Sequence, residues 1–96
     1  MKSIPQVQFT IKGDSSIPHT TATLVRYCLD FPPQGGFTPS ILKERARIDA
    51  RLDGVAVGGT IELEDADFAT ARKCAEDARW SVRHPDISKF LDLFNL

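Results

Sequence analysis

Phe31-Pro-Pro-Gln-Gly-Gly-Phe-Thr-Pro-Ser-Ile-Leu-Lys-Glu-Arg-Ala-Arg-Ile-Asp-Ala-Arg-Leu52 is a rigid break followed by a strongly signposted helix. Pro32 and Pro33 fix φ and remove two amide donors, so a helix arriving from the N-terminal side stops near Phe31. Gly35 and Gly36 then permit a sharp change of direction. Thr38 is placed to accept from a first-turn amide as N-cap. Pro39 falls at the first helical position, where a missing amide does no harm. Phe37 and Leu42 have the spacing of a hydrophobic staple, and Asp53-Gly54 supplies the stop. These signals predict a helix over 38–53, against which the other segments are read as packing.

Ile41, Ile48, Leu52 and Val55 fall on one stripe of that helix, at about 100° per residue. Lys43, Arg47 and Arg51 form a second row at i, i+4, i+8, with Glu44, Asp49 and Asp53 nearby. Two readings follow: a solvated face with local ion pairs, or a basic ridge for phosphate or an acidic partner. Arg45 flanks the apolar stripe and is placed to snorkel along the core edge, to pair with an acid from another element, or to serve recognition.

The 96 residues, 42% hydrophobic and 26% charged, match one ordinary globular domain over 1–96. Residues 1–18 read as an N-terminal strand and loop extension, and 19–96 as the helical body. A net charge of −1 argues against bulk, nonspecific nucleic-acid binding while leaving room for a local basic patch. Cys28 and Cys74 have no metal-like spacing and lie in amphipathic segments, which predicts buried free thiols, with a mutual disulfide as the other arrangement. The start Met-Lys-Ser-Ile-Pro-Gln has no apolar signal region and no run reaches membrane-spanning length, so the cytoplasm is the expected location.

Along the chain, Val7, Phe9 and Ile11 alternate with polar residues, predicting a strand over 6–12 with one apolar face. Gly13-Asp14-Ser15-Ser16 is a turn. Leu24, Val25, Cys28 and Phe31 fit a helical stripe over 19–31. The same run also fits strand alternation, in which case it pairs with 6–12. The length and the double proline favour helix. Ile61 and Leu63 alternate with Thr60, Glu62 and Glu64 as a second short strand. It either closes a hairpin with 55–57 through Gly58-Gly59 or pairs with the N-terminal strand. Asp65 is expected to cap the next helix, with Asp67 in its first turn. Phe68, Ala71, Ala75, Ala78 and Val82 form a face that lets a neighbouring helix approach closely, within the chain or as a self-association seam.

Trp80 does not fit that stripe. Either the helix ends near Arg79 and Trp80 folds inward, or Trp80 is an exposed anchor beside Arg79, Arg83 and His84. The last helix starts at or just after Pro85, with Ile87, Phe90, Leu91 and Phe94 on one stripe widened by Leu93 and Leu96. Buried, this apolar tail completes the core; partly exposed, it is a partner-binding or oligomer seam. Gly58-Gly59-Thr60 lacks the lysine and spacing of a phosphate loop. His19 and His84 lack metal-ligand neighbours. N-cap chemistry accounts for Asp65 and Asp67 without a metal. No catalytic motif, cofactor site or metal site is expected.

The segments Leu29-Asp-Phe-Pro-Pro-Gln-Gly-Gly-Phe-Thr-Pro39, Leu42-Lys-Glu-Arg-Ala-Arg-Ile48 and Thr60-Ile-Glu-Leu-Glu-Asp-Ala-Asp-Phe68 resemble short proteins encoded in tailed bacteriophage and prophage genomes. The resemblance runs over about residues 24–94. It implies origin: a phage accessory protein acting in the bacterial cytoplasm or in particle assembly. It transfers no activity and no site residues.

The expected fold is α+β, with three to four short helices packed on a small antiparallel sheet or hairpin from residues 6–12 and 60–64. The expected function is a non-enzymatic protein–protein interaction or assembly module, with self-association as one form of it, using Trp80, Phe90, Leu93 and Phe94. The alternative is a small DNA-binding regulator using Lys43, Arg45, Arg47 and Arg51, with residues 55–64 as a wing.

Overall fold

The computed structural model describes residues 1–9, 19–80 and 85–96. Its elements run β1 (Lys2–Pro5), β2 (Gln8–Phe9), β3 (His19–Thr20), α1 (Thr21–Leu29), α2 (Pro39–Leu52), β4 (Thr60–Leu63), α3 (Asp65–Asp77) and α4 (Pro85–Asp92). Four helices surround two small antiparallel strand pairs, the α+β arrangement the sequence predicts. Expectations for Ile11, the turn at 13–16, Val82, Arg83 and His84 lie outside the described residues.

The central helix forms where its signals place it. Thr38 Oγ1 accepts from the Ile41 amide at 3.2 Å, and Pro39 occupies the first turn. The helix stops at Leu52, where Gly54 takes a φ of 76° that a side chain would resist. Residues 21–29 are helix, opened by a capping box: Thr20 Oγ1 accepts from the Thr23 amide and Thr23 Oγ1 from the Thr20 amide. The strand reading holds only for His19–Thr20, which pairs with Gln8–Phe9.

The N-terminal segment departs from expectation. Of the strand expected over 6–12, Gln8–Phe9 is strand among the described residues, and it pairs with β3 rather than β4. Instead Lys2–Pro5 pairs antiparallel with Thr60–Leu63, aligning Ile4 with Ile61. The period-two pattern breaks at Gln6, which is buried while Val7 is only half-buried. Each polar atom of Gln6 makes a hydrogen bond inside the fold. Its amide donates to Gly59 O at 3.0 Å and its carbonyl accepts from Gly58 at 2.9 Å. Its Nε2 donates to Val55 O at 3.1 Å, and its Oε1 accepts from the Ala22 amide in the first turn of α1 at 2.9 Å. The ladder alternation then turns the missing N–H of Pro5 away from β4, where it interrupts nothing. Thr21, fully buried, donates through Oγ1 to Pro5 O at 2.8 Å and accepts from Val7 N at 3.1 Å. Residues 1–9 are thus built into the body rather than appended to it: Ile4, Gln6 and Phe9 are all buried. Gly58-Gly59 closes no hairpin with 55–57; its backbone serves Gln6 instead.

Helix α3 begins one residue earlier than its acids suggested. Glu64 holds the cap position with no side-chain bond, and Asp65 is the first helical residue, 3.2 Å from the Met1 amino group. Ala71, Ala75 and Ala78 are buried, and α1 packs on this small-residue face as the most extensive helix–helix contact. The helix ends at Asp77, so Trp80 folds inward, tilted over Tyr27 at 5.0 Å and edge-on to Phe90 at 6.0 Å. Phe90 in turn meets Phe9 and Phe94 edge-on, and Phe94 meets Phe68. After α4 the chain closes in a Schellman turn, with Leu96 N bonding to Leu91 O, Asn95 N to Asp92 O, and Asn95 at a φ of 60°.

Candidate functional site

Two of the four nominated C-terminal contact residues are not at the surface. Phe90 and Phe94 are fully buried, because the ring contacts with Phe9, Phe68 and Trp80 close over them. These two residues complete the core and present nothing to a partner, which corrects their nomination as contact residues. Trp80 and Leu93 are half-buried against the same cluster. Arg72 of α3 seals this end by donating through Nε to Phe94 O at 2.8 Å and through Nη2 to Asn95 O at 3.3 Å. A guanidinium there satisfies carbonyls that the helix end leaves open.

The four basic residues of α2 divide into two kinds. Arg45 folds back along the core edge and donates through Nη1 to Leu29 O at 2.7 Å and to Phe31 O, capping the C-terminal end of α1. Its guanidinium lies over the Phe37 ring at 5.1 Å, and its Nε is buried without a partner. Arg47 grips Asp67 of α3 side-on, with Nε at 3.0 Å from Oδ2 and Nη2 at 2.6 Å from Oδ1. The Asp67 side chain is 4% exposed and the Arg47 side chain 58% exposed. Arg47 holds the Asp67 carboxyl below the usual carboxylate range, against the opposing effect of burial. Lys43 and Arg51 are exposed and make no hydrogen bond or salt bridge among the described residues. Sequence reasoning placed these residues in one row; the structure splits it into a locked member between two open ones.

The outer face of α2 also carries apolar surface. Of its fourteen residues only Ile48 and Leu52 are buried. Leu42 is 52% exposed and Phe37, just before the helix, 39% exposed. Ala46 and Ala50 follow Leu42 at one-turn spacing and are exposed too. Phe37, Leu42 and Ala46 line a groove of about 420 Å³ with Leu29, bordered by Arg26 and Asp49. The far edge of this face is acidic and partly compensated: Arg26 of α1 donates to Asp49 at 2.6 Å and to Asp53. The staple spacing of Phe37 and Leu42 signalled a helix start, and nothing in it signalled that both side chains stay partly in solvent.

A second cleft, of about 620 Å³, lies between Phe31-Pro32-Pro33 and the C-terminal half of α3, with Cys28 and Cys74 in its wall. Both thiols are free and buried, as the sequence predicts. Burial, with the neighbouring Cys74 adding, pushes the Cys28 thiol up to about 12, and burial raises Cys74 as well. Protonated thiols are poor nucleophiles and poor metal ligands. Among the described residues no three His, Cys, Asp or Glu side chains gather as a metal site, and no helix is long and apolar enough to cross a membrane.

Compared with models of known protein families, with curated proteins and with solved structures, the chain matches none.

Proposed function

We propose that the protein is a non-catalytic protein-interaction module, a phage accessory protein acting in the host cytoplasm or in the particle. One observation carries the reading: the longest helix leaves its outer face to solvent, with Phe37, Leu42, Ala46 and Ala50 beside Lys43, Arg47 and Arg51. A helix whose core-facing contacts are so few, yet which is held by three arginine contacts to α1 and α3, is positioned as a display element. Apolar side chains with a charged rim are the usual composition of a protein-binding surface.

The DNA-binding alternative has less support. Arg45 is turned inward and Arg47 is engaged, which leaves Lys43 and Arg51 for phosphate. Residues 55–64 form no two-stranded wing, since β4 pairs with β1. The test is capture of partners by the tagged full chain from infected host lysate, with and without nuclease. A protein partner that survives nuclease supports the module. Recovery of nucleic acid alone, lost on raising salt, overturns it in favour of the regulator.

A further inference from the structure

Resting on the interaction-module reading, we infer that the outer face of α2 docks an acidic amphipathic helix of a partner protein. The face has two parallel strips. Leu42, Ala46 and Ala50, continued by Phe37, form the apolar one, and Lys43, Arg47 and Arg51 the basic one. The two strips run along the same two turns of helix, about 12 Å, which matches a partner helix of roughly ten residues. Ala46 and Ala50 have no bulk to hold a partner helix off, so the axes can approach to within the ordinary packing distance.

Charge selects the occupant. Among the described residues Lys43 and Arg51 make no salt bridge, although the Arg51 charge also bears on Asp67, and Arg47 uses Nε and Nη2 on Asp67 with no hydrogen bond from Nη1. The three cations recur every four residues, so carboxylates at the same interval on a facing helix meet all of them. On the opposite border Arg26 pairs with both Asp49 and Asp53 and offsets part of their charge. Arg47 stays on Asp67 when the partner binds, because releasing it would strand a buried carboxylate. A second copy of this chain fits less well: two-fold antiparallel pairing of α2 with itself sets the Lys43–Arg51 row against the same row. Duplex DNA offers charge but nothing for Phe37 and Leu42 to bury against.

The experiment is selection of a displayed library of randomised 14-residue peptides on the immobilised full chain, repeated with a Lys43→Glu, Arg51→Glu variant. Both side chains are exposed, and unchanged circular dichroism and melting confirm that the variant folds. The expected result is enrichment of peptides with two or more carboxylates one helical turn apart among apolar residues. Their binding weakens about tenfold or more in the variant and falls with salt. Enrichment of neutral or basic peptides, no enrichment, or binding indifferent to the two substitutions overturns the inference. So does duplex binding, or self-association in sedimentation, that the same substitutions abolish. The module reading fails separately: a lysate partner held equally by wild type and variant refutes this surface and leaves the module standing.

Discussion

Helices α2 and α4 are held by opposite means. Helix α4 is eight residues long and is fixed by aromatic burial, with Phe90 and, just beyond it, Phe94 enclosed by Phe9, Phe68 and Trp80. Helix α2 is fourteen residues long and buries two. It is fixed instead by guanidinium groups reaching across to or from its neighbours: Arg26 to Asp49 and Asp53, Arg45 to the carbonyls of Leu29 and Phe31, and Arg47 to Asp67. Aromatic enclosure holds a short helix by one face, Ile87 and Phe90, and leaves Ser88, Lys89 and Asp92 in solvent. Polar ties along its flanks hold a long helix in register while leaving its far side bare. That difference is why the surface we propose for a partner is on α2 rather than on Phe90 and Phe94.

The contrast can be broken from the α4 side first. Phe90→Ala removes a ring at the centre of the aromatic cluster and should destabilise the protein by about 3–5 kcal/mol, measured by urea unfolding. A loss under about 1 kcal/mol would show that α4 is not enclosed as described. Gln6→Leu is next. It removes two side-chain bonds and leaves Val55 O and Ala22 N unsatisfied inside the fold, which should cost about 1–3 kcal/mol. Because residues 1–9 are part of the body, the effect should be global rather than a local fraying, with one cooperative transition.

A third test sharpens the α2 side through pH. The folded-state pKa of Asp67 is lowered by Arg47, so its contribution is present above the unfolded value of about 4 and is lost as pH falls through the lower folded value. Asp67→Asn should therefore be less stable than wild type at pH 7, and the gap should narrow as pH falls below about 4 through the lowered folded value. A gap independent of pH would mean that the ion pair contributes nothing. The smallest effect belongs to the bare face: Lys43→Glu with Arg51→Glu should change unfolding free energy by less than about 0.5 kcal/mol. A larger loss would assign these side chains to the fold rather than to a partner. Thiol labelling gives a last check of the α1–α3 seam. Cys28 and Cys74 should stay unmodified in the native protein and react at the rate of unfolding.

Local signals with a single chemical meaning were legible. The double proline, the glycines, the Thr38-Pro39 start and the Asp53-Gly54 stop depend on φ preferences and on hydrogen bonds within one turn, so they hold wherever the helix ends up. The small-residue face of α3 was legible for the same reason: its spacing permits close approach whatever the neighbour. Strand position was not. Val7, Phe9 and Ile11 show the better alternation, but Ile4 on the shorter run is what β4 pairs with, and Gln6 is buried because four long-range bonds meet it. The candidate surface was half legible. Its basic row could be read from spacing, whereas the inward turn of Arg45, the pairing of Arg47 with Asp67 and the exposure of Leu42 depend on where α1 and α3 lie.

By itself, then, the sequence determined the class of fold, the bounds of α2 and the burial of both thiols, because propensity, capping and hydrophobic period act over a few residues. Only the tertiary structure decided which strands pair, that Phe90 and Phe94 are core, and which cations of α2 remain open, because those outcomes depend on partners distant in the chain. Hydrogen bonds and ring contacts between such partners form only when the helices have packed, and no local pattern encodes which of several chemically equivalent neighbours will be reached.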